Sequence, residues 1–503
     1  MSAALRPARP QTRARTVSLY DFQGLDTTRS AIALDTGKKQ YLSRCNNAYC
    51  DEGGQIIREP SYYHVKGEGW VSHLKFFNLS TFTWAEQRGS GVALVSNRDH
   101  EFADAYAAGS VASSIVFGGH IFYASYGQSI YYYDGSIWRI LDGTSLEHEG
   151  PAFLASARRR MIYAGMPGSP TKVLLSRVDR PEVGPDDEDP NSTDELRAMY
   201  LDIANEISTG DVITGVGVFE TDRAVIFTSS RPLIYQIDPE VQRVRLVDQV
   251  AANVGTISHN SIVNAGRDLL FCAKGGVYSI RRSQFQSVSV YSVPMSERVN
   301  MLYRTLVSNT ANTQAISASW DQDTGRYHIF FPDRTGASYT RLSLLIREGT
   351  DAVTQKWSTA TLLNATCGDE LGGRYLMGSK QGVYESLDVG QSRDLSAPVA
   401  MDVLTPILWA NSMHQKKMGH SYALMMDGQG EVEVSIYDET NRLLQTDRFN
   451  LSEDEPGDML PYTPLTKQYQ RPLDAQFIGL QLRIETTGPG LVRIAGININ
   501  VRE

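Results

Sequence analysis

The sequence predicts an all-β protein: a β-propeller-like ring of antiparallel hairpins followed by a C-terminal β-sandwich. Three observations point there. From Trp70 onward, short apolar or alternating runs such as WVSHLKFFNL, GVALVSN and SIYYYDGSIWRIL are broken by Gly, Asn, Asp and Ser clusters, the punctuation of strands and tight turns. A strand–turn–strand unit recurs along the middle of the chain. Tyrosine is in excess, 25 against 16 Phe and 6 Trp, and its ring with a polar tip suits half-buried pleated surfaces.

Three segments follow, in order. Residues 1–65 read as an N-terminal arm and extended connections with short strands. The arm, MSAALRPARPQTRARTV, carries Arg6, Arg9, Arg13 and Arg15 with no apolar stretch behind them, so it is not a secretory signal. It reads equally as an unstructured terminus and as a basic arm that docks on an acidic neighbour.

Residues 66–390 read as the propeller. The repeated unit is found from Ser113, Ala152, Val212, Ser261, Ala315 and Ala365, at intervals of about 40 to 60 residues that match propeller blades. Its tightest copies are LIYQID, GGVYSI and QGVYESLD, in which Tyr235, Tyr278 and Tyr384 follow an aliphatic residue and a turn. One hairpin unit buries a single face, and stacking neighbours around an axis buries the rest. A sandwich with chance similarity between hairpins is the alternative. The strands near Phe82 to Ser96 are expected to close the ring with the last blade. One helix, or a helical turn in an inserted loop, is expected over Thr193–Ile207, opened by Ser192 or Thr193. Before it lies an acidic, Pro-rich insertion, Arg177 to Glu195, whose spacing lacks the loop glycine and distal bidentate glutamate of an EF-hand and which reads as a solvated loop.

Residues 391–503 read as the sandwich. The strands SYALMMDG, EVEVSIYDE, QFIGLQLRIETTG and GLVRIAGININV are longer and alternate more regularly, and the boundary falls between Ser386 and Pro398.

Totals bound the function. A chain of 503 residues exceeds the roughly 250 to 300 at which one core stops growing. A hydrophobic fraction of 41% with 21% charged residues excludes whole-chain disorder. The net charge of −9 argues against a surface that coats nucleic acid, while an acidic wall would let DNA slide past. Cys45, Cys50, Cys272 and Cys367 are too sparse for a disulfide scaffold, so plain thiols in a reducing compartment are expected. Cys45, Cys50 and His64 lack the second ligand pair of a structural zinc site. No apolar run is long enough for a membrane-spanning helix.

The sequence carries no complete chemical motif, and the expectation is no enzyme, no catalytic residue, no cofactor and no metal. DTGKKQYL around Lys38 lacks the upstream Gly and the hydroxyl residue of a phosphate loop. His148 has no second His at zinc-hydrolase spacing, and no nucleophile elbow occurs. SWDQDTGRYHIFF, Ser319 to Phe331, resembles the turn box of sialidase propellers, in which Ser and Asp brace a turn. Arg158, Arg159 and Arg160 are consecutive and cannot all face one pocket, so they read as an exposed edge that discourages aggregation.

The stretches DFQGLDTTRSAIALDTGKKQYLSRCNNAYCDEGGQIIREPSYYHV, LLSRVDRPEVG, GDVITGVGVFETDRAVIFTSSRPLIYQI and SHNSIVNAGRDLLFCAKGGVYSI together carry a likeness to a known family. The chain resembles the tail nozzle, or packaged-DNA stabilisation, proteins of short-tailed bacteriophages, most closely from Leu174 to Arg282. It departs from their pattern at PSYYHV, in the acidic insertion, and at Arg180, which separates Asp179 from Pro181. The resemblance implies a virion component, assembled in the host bacterial cytoplasm, that forms a homo-oligomeric ring, usually a hexamer. Such a ring sits below the portal and adaptor, extends the DNA channel, retains packaged DNA until ejection and anchors tail fibres or a tail needle. The alternative is a propeller glycan hydrolase or depolymerase, or a sugar-binding module.

Overall fold

The computed structural model describes residues 14–502 apart from short internal stretches, of which 387–398 and 452–466 are the longest. Lys38, His148, Arg6, Arg9 and Arg13 lie outside the described residues, as does most of the expected boundary segment. The chain divides into two units. One comprises Tyr62–Gln355 and Ala360–Ser386, and the other combines residues up to Ser61 with Lys356–Thr359 and Leu387–Glu503.

The first unit is a propeller. Its inner strands are Val71–Asn78, Ala112–Phe117, Phe153–Ala157, Ile213–Phe219, Val263–Ala265, Ser317–Asp321 and Cys367–Leu371, each contacting the next and the last contacting the first. Among the described residues they start seven blades. Five are self-contained sheets of four consecutive antiparallel strands. The sixth continues through Arg326–Pro332 and Tyr339–Arg347. The seventh, with Arg374–Gly378 and Val383–Ser386, takes its outer strand from Tyr62–Lys66, which pairs antiparallel with Val383–Ser386.

Two expectations change here. Ring closure belongs to Tyr62–Lys66. The stretch from Phe82 to Ser96 supplies instead two strands of the first blade, Thr83–Arg88 and Gly91–Val95, which pair with each other. The six repeats read from the sequence are six of the blades, and the Val71 to Phe102 segment is the further one.

Packing explains the repetition. The second strand of several blades is buried along its whole length, as in Arg160–Met166, Asp268–Ala273 and Arg326–Pro332, because both of its faces meet neighbouring blades. Ile162, Val173 and Leu175 of the third blade join Val216, Ile226 and Tyr235 of the fourth in one core. Phe227 of the fourth meets Phe271 of the fifth at a ring-centroid distance of 4.7 Å. Each such side chain contributes about 1.5 to 3 kcal/mol of apolar burial.

No helix forms over Thr193–Ile207. Met199–Asp202 pairs with Lys172–Leu175 as the outer strand of the third blade, and the residues before it are held by Arg177, whose guanidinium binds both Glu188 and Asp194. Tertiary pairing overrides the local helical preference. The acidic insertion is therefore organised: Asp187 accepts from Gly184 N, and Tyr200 Oη donates to Asp186, while Asp186, Asp187 and Asp189 stay exposed. The one α-helix among the described residues is Asn300–Asn309, fastened by Tyr303, whose buried hydroxyl donates to Ala273 O at 2.7 Å.

The second unit is a two-sheet sandwich. Lys417–Gly428 pairs with Val492–Arg502 on one side and Lys467–Pro472 on the other. Gly430–Asp438 lies between Leu443–Leu451 and Leu480–Thr487 in the facing sheet. The sheets meet through Tyr422 and Phe449, at 6.3 Å and perpendicular. Residues 14–61, expected as an arm and connections, complete these sheets: Ala14–Leu19 pairs with Ile497–Arg502, and Arg44–Asn46 pairs with Asp402–Leu404.

Candidate functional site

The inner strands surround an axial cavity of about 590 Å³. An inner strand pairs on one side only, so its free backbone edge lines this space, with His73, Ser113 and Asp369 among the polar residues around it. One end is crossed by a single 3₁₀ turn, His259–Ser261, which leads into the fifth blade. His259 Nδ1 accepts from Val216 N at 3.3 Å, which leaves Nε2 to donate to Ser113 Oγ at 2.9 Å. Its ring packs on Phe153 at 5.0 Å. Asn260 Nδ2 donates to Ala112 O at 2.9 Å, and Tyr327 Oη donates to Ser261 O at 2.6 Å. Ser258 Oγ donates to Ile316 O at 2.6 Å. One turn thus fastens the second, third, fourth and sixth blades and plugs the axis.

The plug is built from neutral groups. Burial holds His259 down to about 4. On the first inner strand, His73 is lowered to about 3 by burial and by the charges of Lys75 and His259. His73 Nε2 lies 2.8 Å from Ser114 Oγ and ties the first blade to the second. Ser113 is not an activated nucleophile, because its oxygen receives both the His259 N–H and Leu154 N, the latter at 3.0 Å.

The carboxylates of the cavity are already engaged. Asp369 accepts from Phe76 N at 2.8 Å and pairs with Lys75 Nζ at 2.9 Å. Glu370 accepts from Gln322 N and Gly373 N, both at 3.0 Å. Neither is placed as a proton donor or a nucleophile for glycoside cleavage, which needs two carboxyl groups facing one bond.

A second constellation has the right residue types in the wrong place. Ser343 Oγ lies 2.8 Å from His328 Nδ1, and His328 Nε2 lies 3.8 Å from Asp321. All three are buried inside the sixth blade. Burial and the charge of Arg341 push His328 down to about 4. Burial opposes ionisation of Asp321, but hydrogen bonding from His328 and the charge of Arg326 outweigh it and hold its carboxyl well below the usual range. Asp321 also accepts from Thr324 N at 3.3 Å and so braces the hairpin turn of the SWDQDTG segment.

The three arginines part company. Arg158 and Arg159 form the tip of a hairpin at positive φ, with Arg159 paired to Asp179. Arg160 is fully buried, donating to Ser176 O at 2.6 Å, to Arg197 O at 2.7 Å and to Pro239 O. The expected exposed edge holds for two residues and fails for the third, because the hairpin turn rotates it into the blade. All four cysteines are buried free thiols. Cys45 is raised by its hydrogen bond with Cys50 and by burial, and Cys272 is pushed up to about 11 by burial. His64 stands edge-on to Tyr384 at 5.0 Å.

The plug is not legible in the sequence. Its signal is the polar tetrad Ser258–His259–Asn260–Ser261 ahead of an apolar strand, and a tetrad of that kind reads as an ordinary turn.

No family profile and no curated protein matches the chain. Among solved structures it is similar to an extracellular domain described as that of a hybrid two component system from B. thetaiotaomicron, with 7% identity, a TM-score of 0.40 and coverage of 79% of this chain. The chain spans about half, 48%, of that protein's length. It is also similar to the computationally designed Ika8 protein, with 10% identity, a TM-score of 0.36 and coverage of 65% of this chain and 98% of that one. For Hsv2 of Kluyveromyces lactis the identity is 9%, the TM-score 0.31 and the coverage 58% and 97%.

Proposed function

We propose that the chain is a structural virion protein, a tail nozzle subunit that assembles into a ring, a hexamer, below the portal and adaptor of a short-tailed bacteriophage. The ring extends the DNA channel, retains packaged DNA, takes part in ejection and holds tail fibres or a tail needle. Assembly takes place in the host cytoplasm. The observation that carries this reading is the use to which polar groups on the propeller axis are put. His73, Ser113, His259, Asn260 and Asp369 join strands and blades to one another, as expected of a wall and not of a catalyst. The two stretches closest to the family, Gly210–Ile237 and Ser258–Ile280, carry the buried core of adjacent blades. The plugged axis also fits a path for DNA between copies of a chain of net negative charge, and not through a single propeller.

Native mass spectrometry and electron microscopy of the full chain, alone and with portal and adaptor, test this. Rings of fixed copy number that dock coaxially on the adaptor are expected. A chain that stays monomeric and ignores the adaptor overturns it. The alternative, a glycan hydrolase or depolymerase, is checked by release of reducing ends from host polysaccharide. No observation on the axial cavity favours it.

A further inference from the structure

On the propeller face where the inner strands begin, two cavities of about 250 and 420 Å³ adjoin. Both are walled by Ser110, Val111, Ala112, Asn260 and Asn312, so they form one cleft lying over the plug. Trp70 lines only one of the two cavities and Tyr126 only the other. These residues are 45% and 62% exposed, unusual for large aromatics. Trp70 is steadied by Lys380 Nζ, 5.2 Å from its ring centroid.

The chemistry of the cleft narrows its occupant. Its only charged lining residues among those described are Asp333 and Arg334. The Asp333 carboxylate is occupied by Thr335, Ala337 and Ser338 of its own turn. Arg334, with Lys380 beside Trp70, supplies too few cations for a polyanion, which is held by several more. A purely apolar guest would strip water from the amides of Asn260, Asn312 and Gln314 without replacing it. Two of those amides are fixed. Asn260 uses its NH₂ on Ala112 O, which leaves its oxygen to accept. Asn312 uses its oxygen on Gln314 N at 3.1 Å, which leaves its NH₂ to donate. A ligand that offers C–H faces to aromatic rings and hydroxyls to a fixed donor and acceptor is a sugar chain.

We propose that this cleft binds a neutral oligosaccharide, with Trp70 and Tyr126 as stacking platforms and Asn260 and Asn312 as its hydrogen-bonding pair. It keeps the ligand class of the alternative reading but not its catalysis, since the cleft holds no unengaged carboxylate among the described residues. It stands independently of the ring, because the cleft belongs to one chain.

The test is calorimetric titration of the full chain with maltohexaose, cellohexaose, chitohexaose and a neutral dextran, alongside heparin and a mixture of extended peptides. Saturable binding of at least one neutral glycan is expected, without release of reducing ends. Trp70→Ala and Tyr126→Ala should each weaken it about tenfold, with melting temperatures unchanged. Trp320→Ala, in the axial cavity beyond the plug, should leave it intact. The proposal is overturned if no neutral glycan binds up to ~10 mM, if heparin or peptide binds in their place, if reducing ends appear, or if both aromatic variants bind like the parent chain.

Discussion

The guanidinium of Arg160 donates to the carbonyl oxygen of Pro239, joining the second strand of the third blade to the segment that follows the third strand of the fourth. Burial lowers its pKa, yet it remains a cation held by three carbonyls. Removing the cation leaves those oxygens without their donor in a dry place. Arg160→Met should therefore destabilise the propeller by about 3 kcal/mol, while Arg159→Ala at the exposed hairpin tip should stay within about 0.5 kcal/mol. Urea denaturation midpoints of the two variants separate the cases.

Stability should fall with acid. His73, His259 and His328 titrate in the folded chain at about 3, 4 and 4, against about 6.5 in the unfolded chain. Between those values the unfolded state binds more protons, so stability is full above about 6.5 and declines as pH drops, by about 1.4 kcal/mol per unit for each histidine. Asp321 acts in the same direction at still lower pH, because its folded-state pKa is depressed and its contribution is lost only as pH falls through that value. His259→Gln should reduce the slope between pH 6 and pH 4.5 by about one proton, measured by denaturant titrations across that range.

Ser343 should behave as a structural hydroxyl. A fluorophosphonate probe should leave it unlabelled in the native chain, because it is buried with His328 and no cavity described above reaches it. Ser343→Ala should cost about 1 kcal/mol, the hydrogen bond to His328. Labelling that disappears in this variant would reopen the case for a hydrolase.

Ring closure depends on a short strand. His64 lies opposite Tyr384 in the ladder that closes the seventh blade. His64→Pro removes a backbone N–H and disfavours strand pairing there. Hydrogen exchange should accelerate across Arg374–Ser386 and Val71–Asn78, with the fourth blade unchanged. Uniform protection in the variant would show that closure contributes little.

The hairpins were legible where local chemistry decides the outcome. Tyr235, Tyr278 and Tyr384 announce the third strands of three blades, because a turn and an aliphatic-Tyr strand recur together, and all three rings are buried. Arg160 was not legible, because the burial of a charged side chain depends on three carbonyls supplied from elsewhere in the chain. Met199–Asp202 misled for the converse reason. Its surroundings favour a helix in isolation, and only the edge of Ser169–Leu175 makes it a strand. The cleft was hidden too, since Trp70 and Tyr126 belong to different blades and come to line adjoining cavities only through folding.

Thr16 hydrogen-bonds Asn500, 484 positions away, and Tyr62–Lys66 waits for Val383–Ser386. During synthesis the early strands of both units therefore emerge long before their partners exist. A translation product that stops short leaves two open sheet edges and neither unit finished. Such a fragment keeps unpaired backbone edges, so the topology itself sets complete chains apart from incomplete ones.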